Sequence, residues 1–534
     1  MSKLLFSIKQ SRCHQTTGFF YCRYFAGIAK KCDCGKISTP YFAGIGIFCT
    51  FVAKQRLVIM SELIGRKEYI RDLDDLYKSG KSEFVVVYGR RRVGKTFMIN
   101  QIFKDKFTFY HTGLSPLELE NDQLAEKQLH NFCSSLKHYK VDFDSIPKDW
   151  FEAFDILRDH LSAISNGERQ VVFIDEIPWL DTPRSGFITA FEHFWNGWGA
   201  QQDNLMLIVS GSATSWISNK LIDNHGGLYN RITAEFYLKP FTLGECEEFY
   251  RSNNIMFDRL TQIQSYMVFG GIPYYLSLIN KRYSLAQNID RLMFDRRGKL
   301  YNEFPHLFRS LFINPEDYQK VVRALKNGSL TRKQIADVTK IPYGGGLTTI
   351  LRSLEENNFI NSYIEYGQSS RNTKYKLADP YVIFYLKFID GENNIDPRYF
   401  ESKYSSPELN TWFGLAFERV CLAHISKIKK ALEIGDVNVK YYSWQSKLPD
   451  NHSQIDLLIE RADRVINICE IKFSSKEFSI DKECDADIRQ KAVSFIEQNK
   501  IKADIKLTII TTYGLQENMY SGRIQNVVVM DDLF

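Results

Sequence analysis

Gly89, Gly94, Lys95 and Thr96 stand at the spacing G-x-x-x-x-G-K-[ST], directly after the apolar run 84–88. That pattern suits a phosphate. Glycines let backbone N–H groups turn inward around an anion, a lysine sets a point charge at the β- and γ-oxygens, and a threonine hydroxyl reaches Mg2+. Thr96 also opens a predicted helix, whose N-terminal dipole would face the anion. Arg90, Arg91, Arg92 and Val93 complete the expected ATP-binding loop, with the arginine side chains expected to point away from the nucleotide, into solvent or toward a partner.

A second apolar run, 171–174, ends in Asp175-Glu176. Asp175 is placed to share the Mg2+ shell with Thr96, and Glu176 to orient or deprotonate the attacking water. A third run, 205–209, ends in Ser210-Gly211-Ser212. Open parallel sheets gather ligands at the carboxyl ends of their strands. Ser212 is therefore expected beside the γ-phosphate, or else as an ordinary helix cap. Arg231 follows the turn Gly226-Gly227. It is a candidate for stabilising transition-state charge, in cis or in trans, with a surface arginine as the alternative.

A separate set of reactive residues lies near the far end. Asp456 sits on a predicted strand, 454–459, and Glu470 and Lys472 end the next one. Two positions apart on a strand, Glu470 and Lys472 face the same side. Two carboxylates can hold Mg2+ and activate water, and a lysine can polarise that water or the phosphate. Glu418 lies on an apolar-periodic helix just upstream.

The elements that must position these residues differ along the chain. The first part alternates buried strands with helices, the pattern of a parallel α/β sheet. Residues 318–379 read as three short helices, 318–326, 331–338 and 347–357. Strands 360–366 and 373–377 then flank a polar tip. That is a winged-helix pattern. Its third helix would present Thr348, Thr349, Arg352, Ser353, Glu355 and Glu356, an acidic set for a groove reader. Asp379-Pro380-Tyr381 and the aromatic stripe after it read as core.

Composition narrows the classes. Hydrophobic residues make up 44%, enough for real cores. No apolar run reaches the roughly 18 residues that a membrane span needs. Residues 1–59 carry nine Lys/Arg against one acid, whereas residues 60–534 carry 60 bases against 62 acids. The net charge of +6 therefore says nothing about the partners of the main body. Five of the ten cysteines (Cys13, Cys22, Cys32, Cys34 and Cys49) fall in the same leading stretch, and the others are single. That suits free thiols in a reducing, cytoplasmic setting. The leading stretch is expected to be an atypical extension, with Met60 as the natural start.

The order of motifs carries a family resemblance. Gly65-Arg66, G-R-R-R-V-G-K-T, F-I-D-E-I-P-W, V-S-G-S-A-T-S-W, G-G-L-Y-N-R and G-G-I-P-Y-Y-L resemble the prokaryotic, archaeal-type AAA-like P-loop ATPases related to the STAND class. The resemblance implies that Gly65-Arg66 approaches the adenine and that Gly270-Gly271-Ile272-Pro273 belongs to a helical lid. It also implies that Asp379-Pro380-Tyr381 marks a junction. The distal set, with Glu418, Asp456, Glu470 and Lys472, resembles the PD-(D/E)XK nuclease superfamily, although Ile455 replaces the usual proline. The expected fold class is α/β: a P-loop NTPase parallel sheet with a helical lid (residues 60–290), a winged-helix domain with linker (291–400), and a restriction-endonuclease-like α/β domain (401–534). The expected cofactors are ATP and Mg2+. The expected function is ATP hydrolysis coupled to DNA processing or defence. DNA, a protein partner or further copies of the chain are the candidate partners, and the alternative is a nucleotide-gated switch with an inert tail.

Overall fold

The computed structural model describes residues 63–534, except 116–123, 224, 225, 229, 313, 393–395, 449 and 451. The leading stretch with its five cysteines and Met60, and Tyr229 of the G-G-L-Y-N-R motif, lie outside the described residues. Among the described residues, no helix is long and apolar enough to cross a membrane, and Cys133, Cys246, Cys421, Cys469 and Cys484 are free thiols.

The first sheet is parallel, with the strands β1 (Glu83–Tyr88), β2 (Phe107–Thr112), β3 (Gln170–Asp175), β4 (Leu205–Gly211) and β5 (Ala234–Tyr237) in the order β2-β3-β4-β1-β5. β4 thus lies between the strands that end in the phosphate motif and in Asp175. Alternating side chains feed two cores. Phe84, Val86, Val172, Ile174 and Leu207 pack under the helices Trp150–Ala163 and Phe187–Gly197. Val85, Val87, Phe173 and Ile208 face a second cluster that runs on through the helices 243–309, the middle segment and the C-terminal region as far as Leu533.

The middle segment has the helices Pro315–Ala324, Arg332–Thr339 and Gly345–Glu356 and an antiparallel sheet β6 (Leu330–Thr331), β7 (Ile360–Tyr363) and β8 (Lys374–Leu377) in the order β6-β8-β7. Thr331 caps the second helix in a capping box with Gln334. β7 ends three residues earlier than its sequence suggests. Tyr366 leaves the hairpin because its N–H donates to Ser443 O (2.9 Å) and its hydroxyl to Glu460 (3.2 Å). Ser353, expected to be exposed, is buried, and its hydroxyl meets that of Ser215 at 2.9 Å.

The C-terminal sheet comprises β9 (Val439–Gln445), β10 (Gln454–Arg461), β11 (Val465–Lys472), β12 (Asp504–Thr511) and β13 (Asn526–Val529), in the order β13-β12-β11-β10-β9. β9–β11 are antiparallel, and β11–β13 are parallel. The helices Pro407–Ala423 and Lys482–Asn499 accompany it.

Two of the three phosphate-loop arginines, Arg90 and Arg92, turn inward rather than into solvent. Arg90 is 2% exposed and forms an ion pair with Asp379. Its guanidinium lies over the Phe359 ring, 5.1 Å from the centroid. Arg92 pairs with Glu303 at 2.5 Å and lies over Tyr274. Glu303 in turn accepts from the Tyr275 hydroxyl at 2.9 Å. The loop's outward-facing surface is covered by the helices that follow the sheet, so these cations must find counter-charges inside. Asp379→Asn is expected to lower stability by roughly 3 kcal/mol, because it leaves a buried guanidinium uncompensated. Arg90→Met combined with Asp379→Asn, which keeps the helix cap, should recover much of that loss in a urea titration. Equal losses in the single and double variants would show that the pair is not what holds this junction.

Candidate functional site

The nucleotide motifs converge at the carboxyl edge of the first sheet. Gly89 adopts φ 139°, and a Cβ there would stand 2.5 Å from Leu238 O, so only glycine fits at the loop entry. Gly94 (φ 92°) precedes the helix Lys95–Phe103. Lys95 is 4% exposed. Its Nζ donates to Gly89 O (2.9 Å), Arg90 O (3.2 Å) and Ser212 Oγ (3.0 Å). Burial holds this ammonium below its ordinary pKa.

Thr96 Oγ1 donates to both oxygens of Asp175, at 3.0 and 2.9 Å, and the Ser210 hydroxyl donates to Asp175 as well. Burial, and then the neighbouring Glu176, push the Asp175 carboxyl above its usual range. Glu176 directly follows β3 and lies in the left-handed region, φ 50°, which an L-residue adopts at a cost. There its carboxylate accepts from Ser212 N (3.0 Å) and Ser212 Oγ (2.5 Å). Ser212 is therefore a bridge between Lys95 and Glu176 rather than a helix cap, since the next helix has no side-chain cap. The hard oxygens of Thr96 and Asp175, with a buried lysine held only by neutral acceptors, fit Mg2+ and a polyphosphate.

Arg231 stands apart. It is exposed, and among the described residues no hydrogen bond or ion pair ties its side chain to Lys95, Asp175 or Glu176. Gly65-Arg66 lies beside the loop. Arg66 donates to Val93 O (3.4 Å) and Lys239 O (2.5 Å) and stacks on Phe241. Gly271 O accepts from Phe241 N at 2.8 Å, which ties the G-G-I-P segment to the same connector.

The distal residues gather around one face of the second sheet. Leu457 pairs with Cys469, one step along the ladder from Asp456 and Glu470. The register of β10 against β9 shifts between Ile455 and Leu458, so a bulge re-aims Asp456. Lys472 Nζ is 2.8 Å from Glu470 Oε1. Burial and then Asp456 push the Glu418 carboxyl from its ordinary 4.5 to about 7. Burial raises Asp456 too. The motif did not reveal Lys491, whose Nζ lies 3.1 and 3.0 Å from the two Glu470 oxygens. Nor did it reveal Lys376 of β8, a half-buried cation that interacts with Arg419, Asp456 and Glu418. Neither has a local signal, because helix and strand spacing do not tell which side chains meet. Among the described residues, no group of three or more His, Cys, Asp or Glu could hold a metal ion, so the distal set as it stands does not fit one.

Residues 63–279 match the family model described as an ATPase domain predominantly from Archaea. This segment is similar to an archaeal-type ATPase domain. An uncharacterized protein of Methanocaldococcus jannaschii is 24% identical over 386 residues, which is 71% of this chain and 81% of that protein, so the likeness runs beyond the ATPase segment. An uncharacterized ATP-binding protein of the same organism is 37% identical over 43 residues, 8% of this chain and 73% of its own length. Among solved structures, the Walker-type ATPase of Pyrococcus abyssi has a TM-score of 0.42 at 22% identity, covering 61% of this chain and 96% of that one. The ORC2 protein of Aeropyrum pernix has a TM-score of 0.37 at 14% identity, covering 65% and 96%.

The raised Glu418 gives a pH dependence with a definite sign. Its folded pKa exceeds the unfolded one, so its stabilising share is full below about 4.5 and is lost as pH rises toward 7. Glu418→Gln should therefore flatten the fall of the thermal midpoint between pH 5 and 7.5. An unchanged slope would show that Glu418 titrates normally.

Proposed function

We propose that the chain is a Mg2+-dependent ATPase whose nucleotide state gates its C-terminal part, a PD-(D/E)XK nuclease-like domain acting in DNA processing or defence. The observation that carries the gating is the buried Arg90–Asp379 pair, which joins the phosphate loop directly to the start of the helix Pro380–Phe388. A cavity of about 390 Å³ beside it, lined by Arg90, Phe241, Asp379, Trp412 and Arg419, leaves room for re-packing.

In hydrolysis, Lys95 leaves its carbonyl partners and Ser212 for the β- and γ-oxygens. Thr96 and Asp175 would hold Mg2+, which would neutralise charge on the phosphates. Glu176 lets go of Ser212 and orients the water, so Ser212 is free to sense the γ-phosphate. Arg231 acts only if it is delivered from another part of the chain or from a second copy.

The three helices and the β6-β8-β7 sheet support a winged-helix reading, used here for packing. The end of its third helix meets the ATPase segment through Ser353–Ser215 and Asn357–Thr214 (3.2 Å), and Tyr366 anchors the hairpin to the second sheet. One observation favours the alternative of an inert tail that binds protein or DNA: Glu470 is already held by two lysines.

Lys95→Ala should abolish ATP binding in calorimetry. Glu176→Gln should keep binding and lose at least about a hundredfold in turnover. With plasmid, Mg2+ or Mn2+ and ATP, Asp456→Ala and Lys472→Ala should each remove DNA cleavage and spare ATP hydrolysis. A wild-type protein that cleaves no DNA would leave the switch with an inert tail.

A further inference from the structure

We propose that the cavity beside the Arg90–Asp379 pair is a binding site for a small organic anion with a flat apolar body, separate from the nucleotide site. It needs neither the gating nor the nuclease-like reading above.

The cavity, about 390 Å³, falls in the range of about 300–1,000 Å³ that encloses small molecules. None of Lys95, Thr96, Asp175, Glu176 or Ser212 lines it. Arg90 belongs to both places, since its carbonyl accepts from Lys95 Nζ while its side chain lines the cavity. Among the described residues, three donors on the lining side chains have no hydrogen-bond partner: Arg90 Nε, Arg90 Nη2 and Trp412 Nε1. Arg90 is 2% and Trp412 5% exposed. Buried donors left unmet cost free energy, so a ligand that brings acceptors is favoured there.

Charge narrows the ligand further. The lining cations are Arg90, Lys239 and Arg419, and the lining carboxylate is Asp379, which Arg90 already holds. Among the described residues, neither Lys239 nor Arg419 forms an ion pair, and Arg419 Nη1 donates only to a carbonyl, Leu415 O, at 3.1 Å. The charged neighbours of Arg419, Glu418 and Lys376, offset one another. His424 adds no charge, because its Nε2 accepts from Leu243 N at 3.0 Å and its Nδ1 donates to Val420 O at 2.8 Å, which is the neutral tautomer. The wall thus leaves two cations unanswered. Lys239 is exposed and Arg419 half-buried, so Arg419 is the less screened of the two. Water satisfies single donors but does not neutralise a charge, whereas an anion does both. Tyr266 and Trp412 supply flat apolar surface on which a ring can stack. The match is a planar organic acid or phosphate ester.

The test is calorimetric titration of the full chain, without nucleotide, with naphthyl phosphate, naphthoate and the neutral naphthalenemethanol. The anions should bind about tenfold more tightly than the neutral compound, and the tighter of the two names the head group. Arg419→Met should weaken the anions about tenfold, the order of one charge-assisted hydrogen bond, and leave the neutral compound unchanged. Ala423→Phe, at an exposed position on the cavity wall, should block all of them without lowering the thermal midpoint. Saturating ATP with Mg2+ should leave the naphthyl anion bound. No binding by wild type, equal binding of anions and neutral compound, or wild-type affinity in both variants overturns the site. Strict competition with ATP overturns it as well, because the cavity would then be one end of the nucleotide site.

Discussion

A guanidinium taken out of water must meet a counter-charge, and Arg90 of the phosphate loop meets Asp379 from the far side of the chain. Such a pair adds little net stability, since removing two charges from water cancels most of their attraction. It is strict about partners, because separating them strands a buried charge. Asp379 is committed twice, for it also accepts from Val382 N at 2.7 Å as the cap of the helix Pro380–Phe388. The loop cannot shift Arg90 without loosening that cap, and Phe359 of the middle segment lies under the same guanidinium. Among the described residues, two Arg90 donors, Nε and Nη2, have no hydrogen-bond partner, so the junction is only partly satisfied.

The direction of transmission follows from the two faces of the first sheet. One face is closed by its own helices, and its aromatic packing, such as Phe84 against Trp195 and Phe154 against Phe194, stays within that layer. The other face belongs to a core that continues through the later helices to the second sheet. A packed interior transmits strain rather than absorbing it. In the gating proposed above, a shift at the nucleotide edge would reach the C-terminal region through the second face, where the helix Arg259–Phe269 also touches the helices Pro380–Phe388 and Pro407–Ala423.

What the sequence made legible was local. Gly89, Gly94, Lys95 and Thr96 lie within one turn and one helix start, so their chemistry can be read from spacing alone. That Glu470 and Lys472 share a strand face follows from a period of two, whereas Asp456 lies within the register shift of β10. What it hid was long-range. Arg90 looks like any loop arginine until Asp379 arrives beside it. Tyr366 continues a strand pattern, yet it is drawn off by Ser443 and Glu460. Ser353 reads as exposed on helical spacing, but it meets the ATPase segment. Ser212 carried two readings, and only the positions of Lys95 and Glu176 separate them.

The lysines of the nucleotide edge and of the distal face are stored against different partners. Lys95 is stored against neutral acceptors, two carbonyls and a hydroxyl, so burial lowers its pKa and an arriving anion supplies the charge it lacks. Lys472 and Lys491 are stored against a carboxylate, so their charge is already answered. An anion therefore finds the first site attractive as it stands, whereas at the distal face Glu470 already answers the charge of both lysines.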